Sequence, residues 1–430
     1  MTVETRRDLD HRVLGGVCAG IATRYKYDVI GVRVVTVLLA VATVGLGGFA
    51  YLALWRFLPS ASANSSASAS ANSSDSASAS SSVSAAASSA TAAAMSEDGA
   101  PSATARPQAA PALRLYGPIA DDLPRVDAMI DSLADVESTW LRGMLEAVLS
   151  GSGKRLRPAV VLLAGRFGNY DLEKLVALAA SVELLHTATL VHDDVIDGAS
   201  ERRGEPTAGA LFGNAASVML GDYMFAGAAE FVARTDNTRV VRNFAATLRA
   251  MANGELTQDI SAFEYSEDVQ QYLDRIAGKT ASLFATAAEG GAIVAGAREE
   301  YVDPLRRYGE SLGMAFQIID DILDFSGDPE EMGKPVGSDL QAGTLTLPTI
   351  LYMQRAPDDN PVKRAFNDED AEQNFQRAIE EILDTDILEE SHQAAQRFGD
   401  LAHQALRELP EGEARDALAG IVDYVLERRS

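Results

Sequence analysis

From about Leu113 to Ser430, apolar side chains recur at intervals of three and four residues, which is the spacing of one face of an α-helix. Examples are the segments LRGMLEAVL, LEKLVALAASVELLHTATLV and AIEEILDTDILEESHQAAQRFGDLAHQAL. No stretch of this region alternates apolar and polar residues as a half-buried strand does, and no glycine-rich nucleotide loop occurs. The pattern therefore predicts an all-α fold, a large helical bundle, for residues 113–430.

A run of serine and alanine separates this predicted bundle from the N-terminus. Residues 61–112 contain SANSSASASANSS and similar stretches, and prolines follow towards Pro111. Such a composition cannot bury a core, so we expect a disordered linker, and about 50 residues of coil span roughly 40 Å. An alternative is that Met95, within the linker, starts a free-standing catalytic domain.

Close to the N-terminus, residues 34–55 read VVTVLLAVATVGLGGFAYLALW without a single charge. A helix of this length can cross a bilayer, which predicts a transmembrane segment at about 34–58 inside a small membrane-associated helical module, residues 1–60. A buried core helix is the alternative, but so short a module offers little to wrap it. A cleavable signal peptide fits less well, because the apolar run starts late and no small-residue cleavage site follows a short h-region.

The charge balance narrows the function classes. The chain has 37 basic and 62 acidic side chains, a net charge of -25, which argues against a protein that binds nucleic acid through its phosphates. The first 58 residues carry seven basic and four acidic side chains, so the acidity lies in the remainder, where any bound anion needs a local basic patch. The single cysteine, Cys18, excludes an intramolecular disulfide and a multi-cysteine metal site.

Two clusters of aspartate interrupt the apolar helical pattern. Residues three and four apart share one side of a helix, and both clusters are embedded in Leu, Ile and Val. Charged helix ends are the alternative interpretation. Carboxylates facing each other from two helices would form an oxygen-rich pocket suited to Mg²⁺, above all when phosphate oxygens complete its coordination shell. The clusters are Asp193, Asp194 and Asp197 in LVHDDVID, and Asp320, Asp321 and Asp324 in FQIIDDILD.

Basic residues gather in short glycine-flanked stretches despite the acidic total. Any one of them alone would be an ordinary surface charge. Their accumulation beside the aspartate clusters favours instead the binding of a metal-bound diphosphate. These residues are Lys154, Arg155 and Arg157 in GKRLRP, Arg202 and Arg203 in ERRGEP, Lys279 in AGKTA, and Lys334 in MGKPVGSD.

Nine motifs, in this order, resemble those of the trans-polyprenyl diphosphate synthases: GKRLRP, ELLHTATLVHDDVID, RRGEPT, LGDYMFA, GELTQD, GKTASLF, FQIIDDILD, GKPVGSDLQAG and TLP. The resemblance covers everything after the linker and implies a bundle of the isoprenoid synthase type, usually a homodimer. It implies an enzyme that condenses isopentenyl diphosphate with an allylic diphosphate. The allylic C–O bond ionises, the double bond of isopentenyl diphosphate adds to the cation, and a proton is lost.

The resemblance also implies roles for individual residues. Three Mg²⁺ ions would bind between the allylic diphosphate and Asp193, Asp194, Asp197, Asp320, Asp321 and Asp324. Contacts to isopentenyl diphosphate would come from Lys154, Arg155, His186 and Arg203, contacts to the allylic diphosphate from Arg202, Lys279 and Lys334, and polar groups near the cation from Thr280 and Gln317. An interior histidine is the alternative for His186, and His192 is expected to support its neighbours.

Two positions depart from the family pattern. Long-chain members usually read GKxTLP where this chain reads GTLTLP, so Thr344 replaces a phosphate-facing lysine. Glu205 stands where a lysine or another residue is common, and we expect it to be peripheral.

Product length follows from a comparison of dimensions. One isoprene unit is about 5 Å long, close to the 5.4 Å pitch of an α-helix, so each addition moves the tail by roughly one turn of helical wall. Ala188, five residues before Asp193, and Thr189 are small where short-chain members tend to place an aromatic residue. We therefore expect a long-chain product, and we expect Ala188→Phe to shorten it.

The first 60 residues resemble the phage-shock-protein C (PspC) domain through HRVLGGVCAGIATRYKYDVIGVR, Tyr51, Trp55 and Pro59. Such domains are associated with membrane stress. Positive charges before the span favour a cytoplasmic N-terminus, which for one crossing would place the bundle outside. Because the substrates are made in the cytoplasm, we expect a membrane-anchored enzyme with its catalytic domain on the cytoplasmic face. That requires either an outside N-terminus or a hairpin that bends at Gly45, Gly47 and Gly48.

Two other functions fit parts of the sequence. A class I terpene cyclase also ionises a diphosphate with Mg²⁺, but it usually replaces the second DDxxD motif and needs no second diphosphate pocket. A non-catalytic membrane-stress scaffold would be expected to lose aspartates from the clusters, and all six are present.

Overall fold

The computed structural model of the chain describes residues 116–150, 153–202, 204–327 and 335–428. The chain divides into two units, Met1–Thr104 and Ala105–Ser430, and every described residue belongs to the second. The predicted membrane module, its transmembrane segment, the linker and Cys18 lie outside the described residues. The same is true of Arg203 and Lys334, so the expectations that concern them stay predictions.

The described residues form a helical bundle, which confirms the predicted all-α fold class. The helices are α1 (Leu123–Asp131), α2 (Thr139–Leu149), α3 (Leu156–Gly165), α4 (Leu172–Ile196), α5 (Ala208–Phe212), α6 (Asn214–Ala233), α7 (Thr238–Ile260), α8 (Val269–Ile276), α9 (Ser282–Val294), α10 (Glu299–Ser326), α11 (Ser338–Gln341), α12 (Leu347–Arg355), α13 (Pro361–Phe366), α14 (Ala371–Leu383), α15 (Ile387–Leu406) and α16 (Glu413–Leu426). Short 3₁₀ turns occur at Gly117–Ile119 and Ser132–Ala134.

One small hairpin breaks the helical pattern in the described part of the chain. Strands β1 (Glu201–Arg202) and β2 (Glu205–Pro206) pair in antiparallel fashion, with Glu201 opposite Pro206. Gly204 turns the chain between them with a φ of +76°. Two residues per strand are too few to produce a visible alternation, which is why the apolar pattern gives no sign of this hairpin.

Helix α4 lies at the centre of the bundle because it is apolar on every side. It packs against α1, α3, α6 and α9. Leu178, Leu184 and Leu185 are fully buried, and each buried leucine contributes about 1.5–3 kcal/mol of transfer free energy. Among the described helices, α4 alone is long and apolar enough to span a membrane, but 72% of its apolar window is buried, as in the core helix of a soluble domain.

Helix α10 joins two apolar clusters. Its first half packs against α9 and belongs to the cluster that surrounds α4, whereas its second half packs with α12, α14 and the start of α15. Ile318, Ile322 and Phe325 contribute to the second cluster. The buried surroundings hold the C-terminal end of α10, with its aspartates, inside the bundle.

A π-helical turn, Ala277–Ala281, connects α8 to α9. Two glycines allow it to approach its neighbours closely. A Cβ atom on Gly254 of α7 would lie 2.9 Å from the backbone nitrogen of Lys279, and one on Gly313 of α10 would lie 2.5 Å from the Cα of Ala281. Any larger residue would push these helices apart, so the glycines fix the π-turn at the place where α7 and α10 converge.

Candidate active site

The first aspartate cluster lies at the C-terminal end of α4. Asp193 and Asp194 belong to its last turn, and Asp197 is the residue that follows the helix. Unpaired carbonyl groups make a helix C-terminus partially negative, so carboxylates are unfavourable there unless cations accompany them. Arg202 of β1 supplies one such cation, because its Nε donates a hydrogen bond of 2.6 Å to Oδ1 of the buried Asp194.

The pKa values of the first cluster are raised. Burial, followed by the nearby charge of Glu255 on α7, raises the pKa of Asp193 to about 7, although Lys279 acts in the opposite direction. Burial also raises the pKa values of Asp194 and Asp197. The protein's own cations thus leave negative charge uncompensated at this site.

The second cluster lies in the last two turns of α10, again at a negative helix end. Asp321 is 3% exposed and accepts two hydrogen bonds, from the hydroxyl of Tyr272 at 2.7 Å and from Nε2 of Gln317 at 2.8 Å. Asp324 is equally buried and accepts from the hydroxyl of Ser338 at 2.6 Å and from the backbone N–H of Asp339 at 3.2 Å. Both side chains are therefore fixed in orientation.

The second cluster is also short of positive charge. Burial, and then the neighbouring Asp339, raises the pKa of Asp321 to about 7. Asp320 is half exposed, and its Oδ1 lies 3.6 Å from Nη2 of Arg428 near the C-terminus of the chain. The sequence offered no signal for the Arg428 contact, because it joins segments far apart in the chain.

The π-turn supplies side chains to both clusters. Nζ of Lys279 lies 2.6 Å from Oε2 of Glu255 and donates to Oε1 of Gln258 at 3.2 Å. Its charge influences the pKa of Asp193, so it faces the first cluster. The next residue, Thr280, donates to Oε1 of Gln317 at 2.6 Å, and Gln317 in turn binds Asp321 of the second cluster. The predicted residues thus belong to two sets of contacts that start from neighbouring positions of the π-turn: Lys279 with Glu255 and Gln258, and Thr280 with Gln317 and Asp321.

The basic side chains of the GKRLRP stretch contact different parts of the bundle. Arg155 has a left-handed backbone, with φ of +52°, and its guanidinium binds Asp127 at 2.8 Å and Glu183 at 3.0 Å. Arg157, two residues further and inside α3, places its guanidinium carbon 4.6 Å from the centre of the Phe284 ring.

Two further cationic side chains also lie against aromatic rings. The guanidinium of Arg428 lies over the Phe316 ring, which Arg157 also approaches, at 4.8 and 5.8 Å respectively. Nζ of Lys154 lies 5.6 Å from the ring centre of Tyr424 on α16. The sequence groups Arg157 with the cations that favour diphosphate binding, but the resemblance implies no individual role for it. The motif also gives no sign that Arg155 has a left-handed backbone, so it does not predict that the two arginine side chains make different contacts.

The side chains predicted on α4 before the first cluster differ in exposure. His186 and Thr189 are half-buried, and the hydroxyl of Thr189 donates to the carbonyl of His186 at 2.7 Å. Ala188 is fully buried in the apolar core. The side chain of His192 lies between α4 and α6, with Nε2 3.0 Å from the carbonyl of Val218, so it packs the helices that support the first cluster.

The departures from the family pattern lie at the periphery of these contacts. Thr344 is half-buried and donates its backbone N–H to the carbonyl of Asp339 at 2.8 Å. Glu205 is exposed in the hairpin. Glu255 was not predicted as a site residue; the GELTQD motif, which carries it, was the available signal.

The donor chemistry of the two clusters fits Mg²⁺. All the clustered side chains are carboxylates, they lie at negative helix ends, and two of them have pKa values raised to about 7. Among the described residues, no three histidine, cysteine or acidic side chains are close enough to hold a metal ion by themselves. Additional oxygen ligands, such as those of a diphosphate, would complete a shell around Mg²⁺.

Comparison with protein families yields two matches. The polyprenyl synthetase model matches residues 138–382, and the PspC domain model matches residues 4–61. The heptaprenyl diphosphate synthase component 2 of Bacillus subtilis is 38% identical over 314 residues, which is 73% of this chain and 90% of that protein.

Solved structures agree with these matches. A decaprenyl diphosphate synthase from Rhodobacter capsulatus superposes with a TM-score of 0.69 and 38% identity, covering 74% of this chain and 100% of the other. A polyprenyl synthase from Caulobacter crescentus, complexed with calcium and isoprenyl diphosphate, superposes with a TM-score of 0.70 and 35% identity, covering 74% and 98%.

Proposed function

This chain belongs to the polyprenyl synthetase family, and we propose that its helical bundle adds isopentenyl diphosphate to an allylic diphosphate to build a long trans-polyprenyl diphosphate. The observation that carries the proposal is the placement of two aspartate clusters at negative helix ends, with neighbouring residues of one π-turn at each: Lys279 acts on Asp193, and Thr280 reaches Asp321 through Gln317. The relatives named for heptaprenyl and decaprenyl products support a long chain. The chain is thus a trans-polyprenyl diphosphate synthase, as the motifs predict.

We propose that Asp193, Asp194 and Asp197, together with Asp320, Asp321 and Asp324, would hold the Mg²⁺ that accompanies the allylic diphosphate, three ions in all. Bound Mg²⁺ supplies positive charge that stabilises the leaving diphosphate. Asp194, Asp321 and Asp324 are buried, which strengthens this interaction, because few waters screen it. The raised pKa values of Asp193 and Asp321 are what such a site shows before its cations bind.

The remaining residues would handle the substrate itself. Lys279 and Arg202, at the first cluster, would bind the departing diphosphate as the allylic C–O bond breaks. The oxygens of Thr280 and Gln317 would face the allylic cation. The double bond of isopentenyl diphosphate then forms the new C–C bond, and the proton lost from the adduct passes to the departing diphosphate. Lys334 stays a predicted contact outside the described residues.

Isopentenyl diphosphate would bind beside the C-terminal helix. Lys154 lies against Tyr424 of α16 and Arg157 against Phe284 of α9, and we propose both as contacts to its diphosphate, with His186 and Arg203. Arg155 was predicted to join them. It stays a proposed contact, and because its guanidinium binds Asp127 and Glu183, we propose that Arg155 also shapes the turn that presents Lys154 and Arg157.

The reaction is tested with purified residues 113–430, since the relatives' full length corresponds to this part of the chain. We expect polyprenyl diphosphate when Mg²⁺, farnesyl diphosphate and isopentenyl diphosphate are all supplied. Product formed without isopentenyl diphosphate would indicate a terpene cyclase. No turnover under any condition would favour a non-catalytic scaffold, and farnesyl diphosphate made as the sole end product from shorter primers would contradict a long-chain enzyme.

The length of the polyprenyl product is tested with substitutions on α4. Thr189 is half-buried one turn before Asp193, on the same side of the helix, so Thr189→Phe is expected to shorten the main product. Ala188→Phe, the variant that the motif suggests, should also shorten it but destabilise the buried core by about 1–3 kcal/mol. Thr187→Phe, on the opposite side of α4, is the control. Chromatography of the dephosphorylated products measures the outcome, and unchanged lengths in Thr189→Phe would contradict this path for the tail.

We propose that a second copy of the chain covers an apolar surface on α6 and α7. Met219, Tyr223, Leu256 and Ile260 are exposed there, with fractions of 68, 36, 60 and 74%. Light scattering should give the mass of a dimer, and Met219→Glu should convert it to monomer. Leu401→Glu, at a 50% exposed leucine of α15, should not. A monomeric parent chain that becomes active only with another subunit would refute the homodimer.

We propose that the PspC-like N-terminus attaches the synthase to the membrane, with the bundle on the cytoplasmic face. The match to residues 4–61 and the uncharged stretch 34–55 support attachment. The side of the membrane on which the bundle lies is tested in intact cells with a reporter fused after Ser430. Protection from external protease is expected, and cleavage would overturn the orientation.

A further inference from the structure

The segment that joins α7 to α8, residues 261–268, contains a strained aromatic residue. Phe263 has a left-handed backbone, with φ of +61°, and its side chain is 49% exposed. A bulky residue in this conformation costs about 1–3 kcal/mol, so it persists where surrounding contacts enforce it.

The contacts that enforce it come from a turn beyond the second aspartate cluster. The N–H of Phe263 donates to the carbonyl of Gly343 at 3.0 Å. Gly343 itself has φ of +82°, and a Cβ there would lie 2.6 Å from the Phe263 ring. The ring also meets Phe366 edge-on, with centroids 5.4 Å apart. Phe263 and Gly343 are therefore fitted to each other.

A series of hydrogen bonds connects the turn at Gly343 to the carboxylate of Asp324. Thr344 donates its N–H to the carbonyl of Asp339 at 2.8 Å. Asp339 donates its own N–H to Oδ2 of Asp324, and the hydroxyl of Ser338 donates to Oδ1. The segment that orients the Asp324 carboxylate is thus held at its far end by Phe263.

Phe263 is also connected to the first cluster, through the helix that precedes it. It follows closely on α7, which ends at Ile260 and carries Glu255 and Gln258. These two side chains hold Lys279, whose charge acts on Asp193. The segment 261–268 therefore connects the helix that holds Lys279 to the turn that orients Asp324.

We infer that Phe263 is a positioning residue of the synthase: by locking the turn at Gly343, it sets Asp324 relative to Lys279 for binding of the allylic diphosphate. This inference rests on the proposed function. In the described part of the chain, Phe263 contacts Gly343 and Phe366, so its effect on Asp324 is transmitted through Gly343, Thr344 and Asp339. Isopentenyl diphosphate, bound beside Lys154 and Arg157, lies outside this chain of contacts.

The test uses the full chain with Phe263→Ala, Phe263→Tyr and Gly343→Ala. We expect Phe263→Ala and Gly343→Ala to raise the KM for the allylic diphosphate about tenfold and to change the KM for isopentenyl diphosphate less than twofold. Phe263→Tyr keeps the ring and should restore the parent values. Leu401→Ala, which truncates an equally exposed apolar side chain elsewhere, is the matched control and should behave as the parent.

Calorimetry with Mg²⁺ and farnesyl thiolodiphosphate, a non-ionising allylic analogue, provides a readout that needs no turnover. Weaker binding of the analogue in Phe263→Ala, with melting temperature within a few degrees of the parent, supports the inference. Equal rises in both KM values together with a lowered melting temperature would show a purely structural role, and unchanged analogue binding would also overturn it. Failure of the proposed function would appear differently, as absence of turnover in the parent chain.

Discussion

Replacing Asp321 with asparagine is expected to remove most of the turnover while leaving the fold as stable as the parent or more stable. The carboxylate is buried, and its pKa is raised to about 7, so at pH 8 its ionised form opposes folding in the metal-free protein. A neutral amide of the same shape removes that repulsion, and its oxygen still accepts from Nε2 of Gln317 while its NH₂ group donates to the hydroxyl oxygen of Tyr272. Loss of one preorganised electrostatic group typically lowers kcat by about 10²- to 10³-fold.

Steady-state turnover and thermal unfolding at pH 8 measure the two effects. Asp303→Asn, on the same helix, is the matched control. Arg307 and Arg306 donate to Asp303 and lower its pKa, so this exposed carboxylate favours folding in its ionised form. The control should keep its turnover and gain no stability. If Asp321→Asn retained parental turnover, the second cluster would have no part in the chemistry.

The apparent affinity for Mg²⁺ is expected to rise steeply with pH up to about 7. Asp193 and Asp321, with pKa values near 7, must lose protons before they bind a cation. Each proton released adds up to about tenfold in affinity per pH unit below the pKa. Titration with Mg²⁺ in the presence of saturating farnesyl thiolodiphosphate, whose oxygens complete the coordination shell, measures the slope by calorimetry at pH values from 5.5 to 8.5.

Stability in the absence of metal should change in the opposite sense. Both carboxylates hold protons more tightly in the folded chain than their ordinary value of 3.8 allows in the unfolded chain. Their contribution to the free energy of unfolding therefore falls as pH rises from about 4 to about 7. The double variant Asp193→Asn with Asp321→Asn should weaken both trends. A flat affinity profile in the parent would show that these groups do not bind the metal.

Part of this site could be predicted from local pattern. The spacing of three and four places Asp193 with Asp197, and Asp320 with Asp324, on shared helix faces, and both helices are present. Apolar periodicity likewise predicted α4 as a helix. Such features depend on neighbours within one or two turns, which the sequence displays directly.

Other parts depend on contacts between distant segments. The left-handed backbone of Arg155 sends its side chain to Asp127 and Glu183, although the motif makes it look equivalent to Lys154. Periodicity did not distinguish buried Ala188 from half-buried Thr189, because that depends on which helices surround α4. The π-turn around Lys279 depends on Gly254 and Gly313 meeting across helices. None of these arrangements has a local signature.

The composition of α4 has a consequence for biosynthesis. This helix has the length and hydropathy of a membrane span, and it follows an N-terminal segment expected to engage the lipid. The membrane-insertion machinery would therefore encounter two apolar segments in one nascent chain, residues 34–55 and α4, that are each long enough to span the membrane. The aspartates that end α4 oppose its release into lipid, since a charged carboxylate is unfavourable in a translocating helix, although less so at its end than at its centre. The acidic residues that we propose for the chemistry would thus also disfavour insertion of this core helix into the membrane during synthesis.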